Sequence, residues 1–124
     1  MKMIEGLEIQ AGFVGPVLKL KLIGNADPRD GTTLAAEYLQ WHHQMVKTKA
    51  VEARIDVRDV EFMNSTALGA FVSWVAELQT IPLASRYKIT FEGNPAKRWQ
   101  RASLHALASF APELISVSFP ERAS

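Results

Sequence analysis

Apolar and polar residues alternate along three stretches of the chain. Leu18, Leu20 and Leu22 are interleaved with Lys19 and Lys21; Val51, Ala53, Ile55 and Val57 with Glu52, Arg54, Asp56 and Arg58; and Tyr87, Ile89 and Phe91 with Lys88, Thr90 and Glu92. A period of two sends every apolar member to one side of a pleated strand, so each stretch predicts a half-buried β-strand. Ile115, Val117 and Phe119, separated by serines, predict a fourth, and Ile4–Ile9 a weaker strand or hairpin arm. Between the strands the period lengthens to that of a helix. Leu34, Tyr38, Trp41, His42 and Met45 share one helical face; Leu68, Phe71, Val72, Val75 and Leu78 share another; Ala96, Trp99, Ser103, Ala106, Leu107 and Phe110 share a third. Asp27-Pro28 precedes the first helix, Pro82 follows the second, and Asn94-Pro95 predicts an N-cap with proline at the first helical position of the third.

Strands that alternate with helices imply parallel pairing. A parallel sheet covered on both faces requires continuous apolar runs, whereas these strands carry charge at every second residue. The pattern therefore predicts an α/β fold: a single domain over residues 1–124, with a four- to five-stranded mixed sheet packed mainly on one face by about four helices. A chain of 124 residues is long enough for a core without covalent staples. No repeat, low-complexity tract or linker interrupts it.

Composition narrows the chemistry. The absence of cysteine excludes disulfides and thiol catalysis, and with no signal-peptide pattern at the N-terminus it points to the cytoplasm. Fourteen basic and thirteen acidic residues leave a formal charge of +1, which favours neither nucleic acid nor a membrane, and no apolar run suits direct membrane insertion. His42 and His43 are adjacent on a helix and diverge, so they do not form a metal pair; no metal or other cofactor is expected. Ser65 lacks the Gly-x-Ser-x-Gly elbow of a nucleophile, and no enzyme activity is expected. Lys97, Arg98 and Arg101 fall off the apolar stripe that holds Trp99 and read as a solvated face. Trp41 and Trp74 lie on or beside apolar stripes and read as core or core edge, with an exposed contact as the alternative for Trp74, which flanks its stripe.

The most informative segment is Ile55–Gly69, where a strand pattern runs through a hydroxyl-bearing turn, Asn64-Ser65-Thr66, into an apolar helix. Ser65 falls at the helix start, where unpaired amides and the helix dipole favour negative charge. Read alone, Ser65 and Thr66 are capping residues, Asp27-Pro28 is a turn, and Asp56 is a solvated strand carboxylate. The segment also resembles the STAS domains, typified by bacterial anti-sigma-factor antagonists. These carry a strand ending hydrophobic-Asp-hydrophobic, followed by a Phe-hydrophobic-Asp-Ser-Ser/Thr-Gly-Leu-Gly turn whose first hydroxyl residue is phosphorylated. Phe62-Met63-Asn64-Ser65-Thr66-Ala67-Leu68-Gly69 is similar to that turn, Gly24-Asn25-Ala26-Asp27 to the family's Gly-x-x-Asp, and Asn94-Pro95-Ala96-Lys97-Arg98-Trp99 to its Ser/Asn-Pro-x-x-x-hydrophobic helix start. The resemblance is strongest over residues 19–119. Asn64 stands where the family has Asp, and Ala67 where it has Gly.

The resemblance implies a non-enzymatic regulator of transcription that binds a partner-switching serine kinase, itself an anti-sigma factor, and is controlled by phosphorylation at Ser65 rather than Thr66. Asp27, Asn64, Ser65, Thr66 and Asp56 are the implied partner-binding residues. A phosphatase and a second copy of the chain are further expected partners. STAS modules also serve as cytosolic accessory parts of membrane transporters and as signalling scaffolds, which are the alternative roles.

Overall fold

The computed structural model describes residues 2–120. Its six strands form one sheet in chain order: β1 (Lys2–Ile4), β2 (Leu7–Val14), β3 (Val17–Ala26), β4 (Glu52–Met63), β5 (Lys88–Glu92) and β6 (Ile115–Ser118). β1, β2 and β3 pair antiparallel, whereas β3 to β6 pair parallel through α1 (Thr32–Thr48), α2 (Ser65–Thr80) and α3 (Arg98–Ala108). The α/β class and mixed sheet match the expectation, and the counts differ slightly. Glu5 and Gly6 take positive φ angles of 43° and 86°, which folds the expected N-terminal arm into two strands. The described residues hold three α-helices, with a single 3-10 turn at Leu83–Ser85.

Alternation builds the core as expected. Leu18, Leu20 and Leu22 of β3 and Ala53, Ile55 and Val57 of β4 are buried, while the intervening charged residues face a depression of about 570 Å³ on the other side of the sheet. Lys19, Lys21, Arg54, Asp56, Arg58 and Glu92 line it, so this face is open to water. On the covered face Tyr38 of α1 stacks on Phe71 of α2 with ring centroids 4.5 Å apart, and Phe71 meets Phe91 of β5 edge-on at 5.0 Å. Trp74 is buried, the core reading that its place beside the α2 stripe favours, and is not an exposed contact. Its indole N–H donates to the Tyr87 hydroxyl, a partner whose approach the helical stripe alone does not reveal.

β4 departs from simple alternation. Lys21 and Ile23 pair with Asp56 and Asp59, and Gly24 and Asn25 with Val60 and Phe62, so β4 carries one extra residue in each interval. Each bulge reverses which side chains face the core. Burial accordingly passes from Val57 to Val60 to Met63. Beyond Asp56 β4 has no neighbour in β5, and side chains complete its hydrogen bonding. Gln100 Nε2 donates to the Val57 and Val60 carbonyls at 2.8 and 3.0 Å, and Asn94 Nδ2 and Lys97 Nζ donate to the Arg58 carbonyl at 3.3 and 2.9 Å. These ties displace the start of α3. Asn94 and Pro95 lie in a turn before the helix, closed by Asn94 Oδ1 accepting from the Ala96 amide at 2.9 Å, and α3 begins at Arg98. Lys97 is therefore a strand-capping residue that also pairs with Glu61 at 3.0 Å, not part of a solvated face.

Candidate functional site

The helices α1 and α2 both start where the parallel strands β3 and β4 end. In an α/β sheet that end gathers loops and helix N-termini, whose unpaired amides favour anions. Gly24 directs the chain into this region. Its φ is 108°, and a Cβ there would lie 2.6 Å from the Gly6 carbonyl oxygen, so only glycine passes. Three residues later Asp27 is exposed at the start of the β3–α1 loop.

Asn64 joins this loop to α2. It is the N-cap, with φ −81° and ψ 174°, and its Oδ1 accepts from the Ala67 amide at 2.8 Å. Its Nδ2 donates to Asp27 Oδ1 at 2.8 Å and to the Pro28 carbonyl at 3.1 Å. Its backbone amide donates to the Ala26 carbonyl at 3.0 Å. Every polar atom of the side chain is committed, so Asn64 is a brace between two loops as well as a cap. Asp27 and Asn64 thus come together at this end of the sheet.

Ser65 is the first residue of α2 and is exposed, and among the described residues no side chain or backbone group hydrogen-bonds its hydroxyl. The cap serves Ala67 and the first helical bond serves Leu68, which leaves the Ser65 and Thr66 amides without an intrahelical partner. A phosphoryl group on Ser65 would enter a field that favours it. Thr66 is half-buried: a Cβ added to Gly31, the N-cap of α1, would lie 3.2 Å from its Cγ2. That packing leaves Ser65 the more accessible of the two hydroxyls. Asp30 adds a carboxylate to the same loop, accepts from the Thr32 amide at 2.9 Å, and is held below the usual carboxylate range by that bond.

Asp56 is not brought into this group. It lies on the open face, eight residues back along β4 from Asn64, roughly 25 Å at an extended rise. Arg58 binds it by Nε at 3.0 Å and Nη2 at 2.8 Å. Partial burial alone would raise its pKa, but the hydrogen bonds and charge of Arg58 outweigh this and keep the carboxyl below its usual range. Conversely, Phe62 is half-exposed two residues before Asn64 and pairs with Asn25 at the same end of the sheet. The sequence shows Phe62 only as a motif residue. Its exposure depends on the two bulges in β4, which leave no periodic signal.

Among the described residues no group of three His, Asp or Glu side chains converges to hold a metal ion, and no helix is long and apolar enough to cross a membrane. No family model matches the chain, and no curated protein matches it. Among solved structures it is similar to an anti-sigma factor antagonist from Mycobacterium paratuberculosis, with a TM-score of 0.61 and 14% identity over 94% of this chain and 90% of that one. The fold is therefore that of the anti-sigma factor antagonists, the STAS fold that the Phe62–Gly69 segment resembles.

Proposed function

We propose that this protein is a non-enzymatic regulator of the anti-sigma-factor-antagonist type, which docks a serine kinase acting as an anti-sigma factor through the end of the sheet that carries Asp27, Asn64 and Ser65. Phosphorylation of Ser65 ends that complex. The observation that carries this reading is the exposed, unbonded Ser65 hydroxyl at the first residue of α2, beside a loop fastened by Asn64. A phosphoserine brings nearly two negative charges and three acceptor oxygens. At a docked surface these charges must be desolvated, so affinity falls without any need to refold the domain.

Affinity capture from extract of the native cell, with wild-type, Ser65→Ala and Ser65→Glu baits, tests this. Recovery of a serine kinase by wild-type and Ser65→Ala but not by Ser65→Glu is the expected result. Equal recovery by all three, or recovery of transporter subunits alone, would remove the switch.

A further inference from the structure

Three buried polar side chains from three elements meet between the helices and the sheet. They are His42 of α1, Trp74 of α2, and Tyr87 at the start of β5. Trp74 lies nine residues along α2 from Ser65, roughly 13 Å by helical rise, so this cluster is separate from the candidate site. Trp74 Nε1 donates to the Tyr87 hydroxyl oxygen at 2.6 Å, and that oxygen lies 2.7 Å from His42 Nδ1. Indole is only a donor, so the tyrosine oxygen is the acceptor in the first bond. Its own proton then goes to His42 Nδ1, which must carry none. The network is thus complete with a neutral His42 protonated at Nε2, and no buried side-chain polar atom is left unmatched among the described residues.

We propose that His42 is a proton-sensitive fastener, which holds α1 and α2 to the start of β5 when neutral and lets go when protonated. Protonation puts a second N–H against the Tyr87 oxygen, which already accepts from Trp74. The hydroxyl proton of Tyr87 then has no acceptor, and a buried donor without a partner is costly. The charged and titratable groups around the ring are His43 on α1, Glu77 on α2 and Tyr87 itself. Burial lowers the pKa of His42, His43 lowers it further, and Glu77 only partly opposes them. Because the folded value lies below the unfolded one, near 6.5, the contribution is complete above that pH and is lost as the pH falls from there through the lower folded value. The parts released are the second half of α1 and the segment leading into β5. Between them lies a depression of about 410 Å³ lined by both apolar and charged side chains, Val46, Val51, Lys49 and Arg86 among them.

Two measurements test the fastener, and neither depends on what binds at Ser65. In ¹⁵N spectra of the whole protein, His42 is expected as the Nε2–H tautomer at pH 7.5 and to titrate below the ordinary histidine value near 6.5. An Nδ1–H tautomer, or titration at or above the ordinary histidine value near 6.5, would overturn the proposal even if every variant failed to fold. Amide hydrogen exchange, corrected for its intrinsic pH dependence, is expected to lose protection, by up to about tenfold, in residues 42–50 and 86–89 between pH 7.5 and 5.5. His42→Gln can still accept from Tyr87 but cannot titrate, and it should abolish that loss. Protection unchanged in the wild type, or an equal loss in His42→Gln, would refute the device.

Discussion

Asn64 shows how one side chain can decide whether a loop is held. Its amide satisfies an acidic neighbour, a carbonyl and a helix amide at once, which a carboxylate cannot do because it has nothing to donate. Asn64→Asp, which introduces the residue usual at the resembling position of STAS domains, would face Asp27 and the Pro28 carbonyl with acceptors only. It is expected to lower stability by about 1–2 kcal/mol at neutral pH, the range for lost hydrogen bonds at a partly exposed site. Urea melts check this, and a double-mutant cycle sharpens it. Asp27→Asn in the Asn64→Asp background should recover most of the loss by reversing donor and acceptor; purely additive effects would show that the two side chains are not coupled. Read locally, the cap falls to Ser65 and Thr66; the structure gives it to Asn64 one residue earlier, because the helix already begins at Ser65. The contact of Asn64 with Asp27 was legible only through the family resemblance, because 37 residues separate them and no pattern encodes the approach.

Strands and helices were largely legible because alternation and the 3.6-residue period act over many residues; the buried faces of β3 and α1 follow the pattern, whereas α2 is turned so that Ala67, Ala70 and Trp74 are buried and Leu68 and Val72 only partly. The two bulges of β4 and the delayed start of α3 were not legible, since each turns on a long-range bond. Gln100 is the case in point: wholly buried, it donates to two β4 carbonyls and its Oε1 accepts from the Asn94 amide at 2.7 Å. Gln100→Leu keeps the volume but leaves these three backbone groups unmatched. It should destabilise by about 2–4 kcal/mol. Phe71→Ala, at the centre of the Tyr38–Phe71–Phe91 cluster, should cost about 3–5 kcal/mol by leaving a cavity. Ser65→Ala, which removes an exposed hydroxyl at a helix start, should cost about 1 kcal/mol at most. Chemical denaturation of the three variants ranks them. A Ser65→Ala loss comparable to that of Phe71→Ala would make the serine a structural residue and take away its regulatory role.

At the scale of the molecule, the fold separates three surfaces. The open sheet face is a lattice of ion pairs such as Asp56–Arg58 and Arg54–Glu92. The end where the strands begin carries the exposed Val14, Val51 and Leu83. The opposite end carries Asp27, Phe62, Asn64 and Ser65. An exposed aromatic ring beside a modifiable hydroxyl suits a partner's apolar pocket, because burying it contributes affinity that charge at Ser65 can then oppose. If the proposed partner docks there, Phe62→Ser should weaken binding by at least about tenfold, or 1.4 kcal/mol. Ser65→Glu should weaken it to a similar degree while leaving the melting temperature nearly unchanged, since a negative charge at a helix N-terminus is worth only about 0.3–1 kcal/mol in its favour. Asp56→Asn and Leu83→Ser, on the other two surfaces, should bind as the wild type does. Titration of the captured partner against the four variants, with their melts as controls, tests the assignment: loss confined to Leu83→Ser or Asp56→Asn would move the interface to another face and leave Ser65 without its proposed role.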